Sequence, residues 1–364
     1  MKSKILGAAA AVAVLGIGFS MNVYADSRAD IAKINVKRAG SFKYWNKDSQ
    51  SKNKLVNFVK QITNRRSEKF IPKEDRIAVF DCDGTLIGER SPFYYEWLIY
   101  LHRTLEDEEL NTSAEEKAYA KEVLNAIRLG KITTQADRNH DNHFPANIAN
   151  QTPEAYKEYV RKYLDTVPVE GYDNLKQGEA FFLPMVEIVS YLKNHGFQVY
   201  VVTGGERDGV RVMVGDALHI PPKNVIGSDH SLYAEHQGNE SVLNYVYGSK
   251  TVEEKVLRGD KVIFKNLNFN KIIAMNREIG QKPVLAFGNS MGDSGMFNYT
   301  VHNNKYPALA FSLLCDDLER ENGSIEKADK MRKNCEKYGW IPVSMKDEWK
   351  TVYGYKVEKN KRPE

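Results

Sequence analysis

The chain has 364 residues, 42% hydrophobic and 27% charged, which excludes a collagen, a low-complexity polymer and a fully disordered chain. Its 52 basic residues against 48 acidic ones leave a net charge of +4, too near neutral for a nucleic-acid-binding surface. The one long apolar stretch lies at the N-terminus, which excludes a polytopic membrane protein.

Residues 1–25 read as a secretory signal peptide. Lys2 and Lys4 form a basic start, Ile5 to Phe19 is uncharged and mostly apolar, and Val23-Tyr24-Ala25 offers small residues at −3 and −1 before Asp26. An uncleaved membrane anchor is the competing reading, but the stretch is short for spanning. No Cys follows it to carry a lipid. The mature chain is then expected to start near Asp26, to carry a net charge of +2 without Lys2 and Lys4, and to work in the periplasm or outside the cell. No stable membrane insertion is expected once the signal is removed.

Residues 26–75 are polar and Lys-rich and read as an N-terminal arm, with Leu55, Val56, Phe58 and Val59 on a helix that packs on a core over 76–364. Ile77 to Phe80 is a short apolar, β-branched run, the signature of a buried strand, and it ends at Asp81. The next 90 or so residues carry helical patterns over Phe93–Leu105 and Ser113–Leu129, and a third that opens at Thr152-Pro153 with Pro at the first helical position. A helical insert of this size directly after a strand predicts a cap over 88–179. Pro184 to His195 reads as a helix stopped by Gly196, with Met185, Ile188, Val189 and Leu192 on one face. Strands are expected at Phe197–Val202, Pro283–Phe287 and Ala308–Leu313, and alternation around Ser241–Tyr247 suggests a hairpin flap within 229–262. Strands alternating with helices predict an α/β doubly wound parallel sheet, whose ligands bind beyond the carboxyl ends of its strands.

The polar motifs sit at those ends. In Asp81-Cys82-Asp83-Gly84-Thr85 the two carboxylates at i and i+2 point to one side of an extended segment. Such a pair repels unless a cation compensates, and Mg²⁺, a hard ion that prefers oxygen, suits it. Asp81 can then attack phosphorus, while Asp83 protonates the leaving alcohol and later takes a proton from water. An Asp-rich turn is the structural alternative. Thr203-Gly204-Gly205 offers a hydroxyl and backbone N–H groups to a phosphate, or forms an ordinary glycine turn. In Gly288-Asn289-Ser290-Met291-Gly292-Asp293, Asn289 and Asp293 are candidate metal ligands, and Ser290 or Asn289 can cap a helix at the same time. Lys271 opens a helix towards Gly280 and can neutralise a phosphate.

In this order, the motifs resemble those of the haloacid-dehalogenase-like superfamily of phosphatases, over about residues 76 to 345. The match at Asp81-x-Asp83-x-Thr85 points to phosphatases, since dehalogenase members lack the second Asp. The resemblance implies a Rossmann-like core with an inserted cap, an Mg²⁺ cofactor, Asp81 as nucleophile and Asp83 as general acid/base. It also implies Thr203 and Gly204 at the phosphate, Lys271 as the motif lysine, and Asp293 as the second acid of the last motif. Asn289 stands where most members carry a ligating Asp. The cap resembles that of the phosphoserine-phosphatase-like branch, and Asn289-Ser290 with Met345 to Lys350 looks like its exported bacterial members. The expected function is Mg²⁺-dependent hydrolysis of small phosphomonoesters through an aspartyl-phosphate. A phosphotransferase to an alcohol and a weakly active phosphate-binding protein stay open as alternatives.

Three further features stay open. Phe93, Tyr94, Tyr95 and Trp97 beside Glu89 and Arg90 form either a pocket for a cationic group or cap-to-core packing. His140-Asp141-Asn142-His143 reads as a polar cap loop ahead of a metal site. Cys315 and Cys335 either pair or stay as buried thiols. The sequence leaves the oligomeric state undetermined.

Overall fold

The computed structural model describes residues 31–34, 42–88, 94–129, 133–246 and 253–360. The expected signal peptide, much of the arm before residue 42, and Glu89, Arg90 and Phe93 of the aromatic cluster lie outside the described residues. Among the described residues no helix is long and apolar enough to cross a membrane.

Seven strands form one sheet: β1 Ile77–Phe80, β2 Gln198–Glu206, β3 Val225–Ala234, β4 Val256–Phe264, β5 Leu285–Gly288, β6 Leu309–Leu314 and β7 Ile341–Ser344. Their spatial order is β4-β3-β2-β1-β5-β6-β7. All neighbours are parallel except β3 and β4, which run antiparallel at one edge. β1 is central and fully buried, with Val79 opposite Tyr200 on one side and Ala286 on the other. Chain order reverses across β1, so its carboxyl end opens into the crevice where such sheets bind ligands. The expected α/β sheet is therefore present. Strand β3 and the two edge strands β4 and β7 add to the four strands legible in the sequence.

Helix α1, Gln50–Thr63, starts at Ser49, whose side chain accepts the Lys52 N–H, and it buries Leu55, Phe58, Val59 and Ile62. The helix α6, Leu183–Asn194, is buried over nearly its whole length and ends before Gly196, whose φ of +78° favours glycine. Between β1 and α6 the described residues form four α-helices: α2 Tyr95–Leu105, α3 Ala114–Arg128, α4 Thr134–Asn147 and α5 Pro153–Thr166. Ser113, Thr133 and Thr152 cap the last three by accepting backbone N–H groups.

Helix α4 departs from the sequence reading, which placed a polar loop at His140–His143. Asn, Asp and His are weak helix formers, so the local signal was poor. The segment is helical because packing overrides that propensity: His140 stacks on Trp97 at 4.0 Å and on Phe144 at 5.3 Å, and both His140 and Phe144 are buried. The expected flap is also re-placed. The antiparallel ladder runs from Asp229 opposite Phe264 to Ala234 opposite Val256, while residues 241–246 lie in the connection and carry no strand. Cys315 and Cys335 are free thiols, and burial pushes the Cys335 thiol up to about 11.

The β3–β4 hairpin ties the four inserted helices to the sheet. Asn150 N–H donates to the Arg258 carbonyl at 2.8 Å, and Arg258 N–H to the Gln151 carbonyl at 2.9 Å. The Arg258 guanidinium lies 4.5 Å from the Tyr156 ring and pairs with Glu206 at 2.7 Å and Asp208 at 2.6 Å. This buried cation with two acidic partners pins α5 and the hairpin to the start of α7, Arg207–Leu218.

Candidate active site

The carboxyl end of β1 is continued by a tight turn. The Cys82 carbonyl accepts the N–H groups of Thr85, Leu86 and Ile87, and Gly84 takes φ +69°. A side chain at Gly84 would strain that conformation. The turn leaves Asp81 at the floor of the crevice and Asp83 beneath the first residue of α2, whose N–H lies 3.4 Å from Asp83 Oδ1.

Thr203 and Gly204 sit at the end of the parallel part of β2. Their loop is held from below by Asn266, which donates to the Thr203 carbonyl at 3.0 Å, and by Ser228, which donates to the Gly204 carbonyl at 2.6 Å. Thr203 Oγ1 accepts the Gly205 N–H at 3.1 Å, which orients the hydroxyl so that its proton can donate elsewhere.

Helix α8, Asn270–Glu278, presents Lys271 on its first turn. Lys271 is buried, and its Nζ donates to Asp81 Oδ1 at 2.8 Å and to Asp293 Oδ1 at 2.6 Å. Burial opposes its charge, yet the two carboxylates raise its pKa above the ordinary lysine value. Asp293 Oδ2 accepts the N–H groups of Asn289 at 3.0 Å and Ser290 at 3.1 Å. Ser290 in turn accepts the Gly292 N–H, so the expected capping role is real and the Asn289–Asp293 loop folds around its own acid. Gly288 is required there, because a Cβ would lie 2.6 Å from the Asp293 carboxylate. Both Asp293 oxygens are thus engaged inside the protein, which suits a residue that positions Lys271 and the loop.

These residues line one cavity of about 330 Å³, and all seven singled out from the sequence, Asp81, Asp83, Thr203, Gly204, Lys271, Asn289 and Asp293, are in its wall. The opposite wall comes from α2 and α4: Glu96, Trp97, His140 and Asp141, with Tyr94 at the rim and Lys265 and Leu267 from the segment after β4. Lys265 Nζ lies 3.1 Å from Glu96 Oε1 and 2.9 Å from Asp141 Oδ1. Sequence reasoning missed Glu96 and Lys265. A lysine one residue past a strand end was the available signal for the second, and no local signal marks Glu96. A larger groove of about 580 Å³ at the amino end of β2, lined by Lys73, Gly196 and His219, contains none of these groups.

The floor is acidic. Three carboxylates, Asp81, Asp83 and Asp293, line it, and Lys271 bridges two of them, Asp81 and Asp293. Burial, with the Asp293 charge behind it, pushes Asp81 up to about 7. Among the described residues no group of three or more His, Cys, Asp and Glu side chains is arranged around a metal ion. The donor chemistry still fits a hard divalent cation, because the available groups are oxygens.

The family model of haloacid dehalogenase-like hydrolases matches residues 76–235. No curated protein matches the chain. Among solved structures, the chain is similar to a conserved functionally unknown protein from Anaerococcus prevotii, at 14% identity and TM-score 0.49 over 85% of this chain and 96% of that one. It is similar to cytosolic 5'-nucleotidase IIIB bound to cytidine, at 13% identity and TM-score 0.47 over 81% and 86%. It is also similar to a phosphoserine phosphohydrolase-like protein from Francisella tularensis, at 20% identity and TM-score 0.35 over 66% and 87%. With the motif order at the strand ends, the match makes residues 76–235 a haloacid dehalogenase-like hydrolase domain.

Proposed function

We propose that this hydrolase is an Mg²⁺-dependent phosphomonoesterase that acts on small phosphorylated molecules through an aspartyl-phosphate. The observation that carries the reading is the placement of Lys271 between Asp81 and Asp293 at the floor of the cavity. Lys271 occupies one oxygen of Asp81 and leaves the other to attack phosphorus. A phosphoryl group there meets the Lys271 ammonium, the Thr203 hydroxyl and the Gly204 N–H, which stabilise the charge that develops on its oxygens. Asp83 stands on the cap side of Asp81, where a leaving alcohol needs a proton.

Asp81, the Asp83 backbone carbonyl and the Asn289 side chain are the groups that would hold Mg²⁺, with Asp293 left to position Lys271. When bound, the cation supplies positive charge against the phosphoryl oxygens and the carboxylates. Asn289 offers a neutral oxygen, so the cation is held weakly.

The test is turnover of p-nitrophenyl phosphate with Mg²⁺, with and without glycerol, and with product analysis. Inorganic phosphate as the sole phosphorylated product supports hydrolysis. Glycerol phosphate in quantity would favour a phosphotransferase, and phosphate binding without turnover would favour a binding protein.

We further propose that the protein works in the periplasm or outside the cell, on the signal-like order of residues 1–25. N-terminal sequencing of protein recovered from cells should find a start near Asp26. An intact Met1 or Lys2 on envelope-bound protein would overturn this.

A further inference from the structure

The groups placed to hold a phosphoryl oxygen come from two segments. Thr203 and Gly204 end the parallel part of β2, and Lys271 sits on the first turn of α8. The spacing between the segments decides whether one phosphoryl group can meet all three, and two joints fix that spacing.

The first joint is Asn266. It is fully buried, and its Nδ2 donates to the Thr203 carbonyl and to the Ile226 carbonyl of β3, each at 3.0 Å. Its N–H donates to Ser228 Oγ at 3.0 Å, and that hydroxyl donates to the Gly204 carbonyl at 2.6 Å. Asn266 Oδ1 is buried without a donor. A buried unpaired oxygen is costly, so packing alone does not account for an amide at this place. Asn270 then donates to the Lys265 carbonyl at 2.8 Å, which closes the turn that leads into Lys271.

The second joint lies at the other end of α8. Arg207, just past Gly205, donates from its two Nη atoms to Glu278 at 2.7 and 2.8 Å, and Nη2 also reaches Asp229 of β3 at 2.8 Å. A two-pronged Arg–carboxylate pair fixes orientation as well as distance. Arg277 adds a donor to Glu278 at 2.8 Å. Glu278 ends α8, about 10 Å along the helix from Lys271. The backbone packs closely along the same seam: a Cβ on Gly227 of β3 would lie 2.7 Å from Arg207 Cα and 2.8 Å from the Gly205 carbonyl oxygen.

We propose that Asn266 and the Arg207–Glu278 pair are positioning residues, which mount the Thr203–Gly204 loop and the Lys271 helix as one body. This rests on the reading of the site as a phosphomonoesterase. None of the three lines the cavity, so each acts through a neighbour. Donors held at a preset spacing stabilise developing charge without reorganising, and a small displacement of them costs rate.

The first measurement is amide hydrogen exchange, which needs neither phosphate nor turnover. In Glu278→Ala, peptides over 203–207 and over 265–278 should both exchange at least about threefold faster than in wild type. Asp216→Ala is the control: it breaks a pair with Arg161, at 3.0 Å, on the same helix as Arg207, and should leave both peptides at wild-type rates. Faster exchange over 265–278 with 203–207 unchanged would overturn the proposal, as would equal acceleration by the control.

The second measurement is kcat for p-nitrophenyl phosphate and calorimetric affinity for inorganic phosphate, taken where urea unfolding shows each variant folded. Glu278→Ala should lower kcat about tenfold and weaken phosphate binding at least about threefold. Glu278→Gln keeps an acceptor for the guanidinium and should lose less. Asn266→Ala should lose more, and if it does not fold Glu278→Ala decides. A less stable Glu278→Ala with wild-type kcat and phosphate affinity would overturn the positioning role. A wild type without turnover or phosphate binding would overturn the phosphomonoesterase reading instead, and the exchange data would still decide whether the two segments form one body.

Discussion

Lys271 donates to Asp81 at 2.8 Å while it also holds Asp293, so a single buried ammonium serves both Asp81 and the acid that shapes the Asn289 loop. The charge state of either acid therefore affects the other through Lys271, and the predictions for this end of the cavity follow from that coupling.

Asp81→Asn should lower turnover by at least about a thousandfold, because the amide cannot form the acyl phosphate. Stability should change by no more than about 1 kcal/mol, since the carboxylate that is lost already sits in a site that disfavours its charge. Steady-state kinetics and urea unfolding check both parts. Wild-type-like turnover would sink the assignment of the nucleophile.

Lys271→Met leaves Asp81 and Asp293 buried without their shared partner. In the presence of chelator the loss of stability should be about 3 kcal/mol or more. Adding Asp293→Asn to that variant should recover part of the loss, because it removes one of the two unpaired charges. Urea unfolding of the single and double variants is the measurement. A double variant less stable than the single one would show that Asp293 acts through its N–H contacts alone.

Asn289→Asp replaces a neutral oxygen by a carboxylate at the loop that faces Asp81. The variant should reach half-maximal activity at an Mg²⁺ concentration about tenfold lower than wild type. Unchanged or weaker Mg²⁺ dependence would mean that residue 289 does not face the cation. Wild-type activity should disappear on exhaustive chelation and return with Mg²⁺.

His230 carries a pH prediction. It is buried among Arg258, Glu96, Lys265, His140 and Phe144, and burial lowers its pKa to about 4, with Glu96 opposing the shift and the two cations adding to it. Its Nδ1 faces Arg258 Nη2 at 3.1 Å, which suits a neutral ring that accepts. For a base whose folded pKa lies below its unfolded value, the unfolded chain binds the proton first. Stability is therefore unaffected above the unfolded pKa near 6.5 and falls as pH drops from there towards 4. The loss attributable to this group by pH 4.5 is about 2 to 3 kcal/mol. His230→Asn keeps an acceptor near Arg258 and cannot titrate, so its unfolding free energy should fall less than that of wild type between pH 7 and 4.5. Parallel pH profiles for the two proteins would remove His230 from the acid response.

Much of the cavity floor was legible in the sequence. Short β-branched runs that end in Asp81-x-Asp83, Thr203-Gly204 and Gly288-Asn289 are local patterns, and burial of such a run as a strand fixes where its last side chain emerges. The strand-end rule then places all of them along one edge of the sheet, where the structure has them. Local chemistry likewise marked helix starts at Ser113 and Thr152, which prove to be the caps, and the glycine stop at Gly196.

Tertiary structure decided the other half of the cavity. Glu96 and Lys265 are 169 positions apart and meet only because the β3–β4 hairpin brings Arg258 under α5 and so docks the inserted helices on the sheet. Helix α4 forms because His140 packs between Trp97 and Phe144, which outweighs the weak helix propensity of its own residues. Within the core, Asp293, expected from spacing as a metal ligand, has both oxygens engaged, one by Lys271 and the other by the Asn289 and Ser290 N–H groups. A period or a motif records the forces on neighbouring residues in the chain. Ion pairs across a cavity depend on the distance between two folded surfaces, and no local pattern encodes that distance.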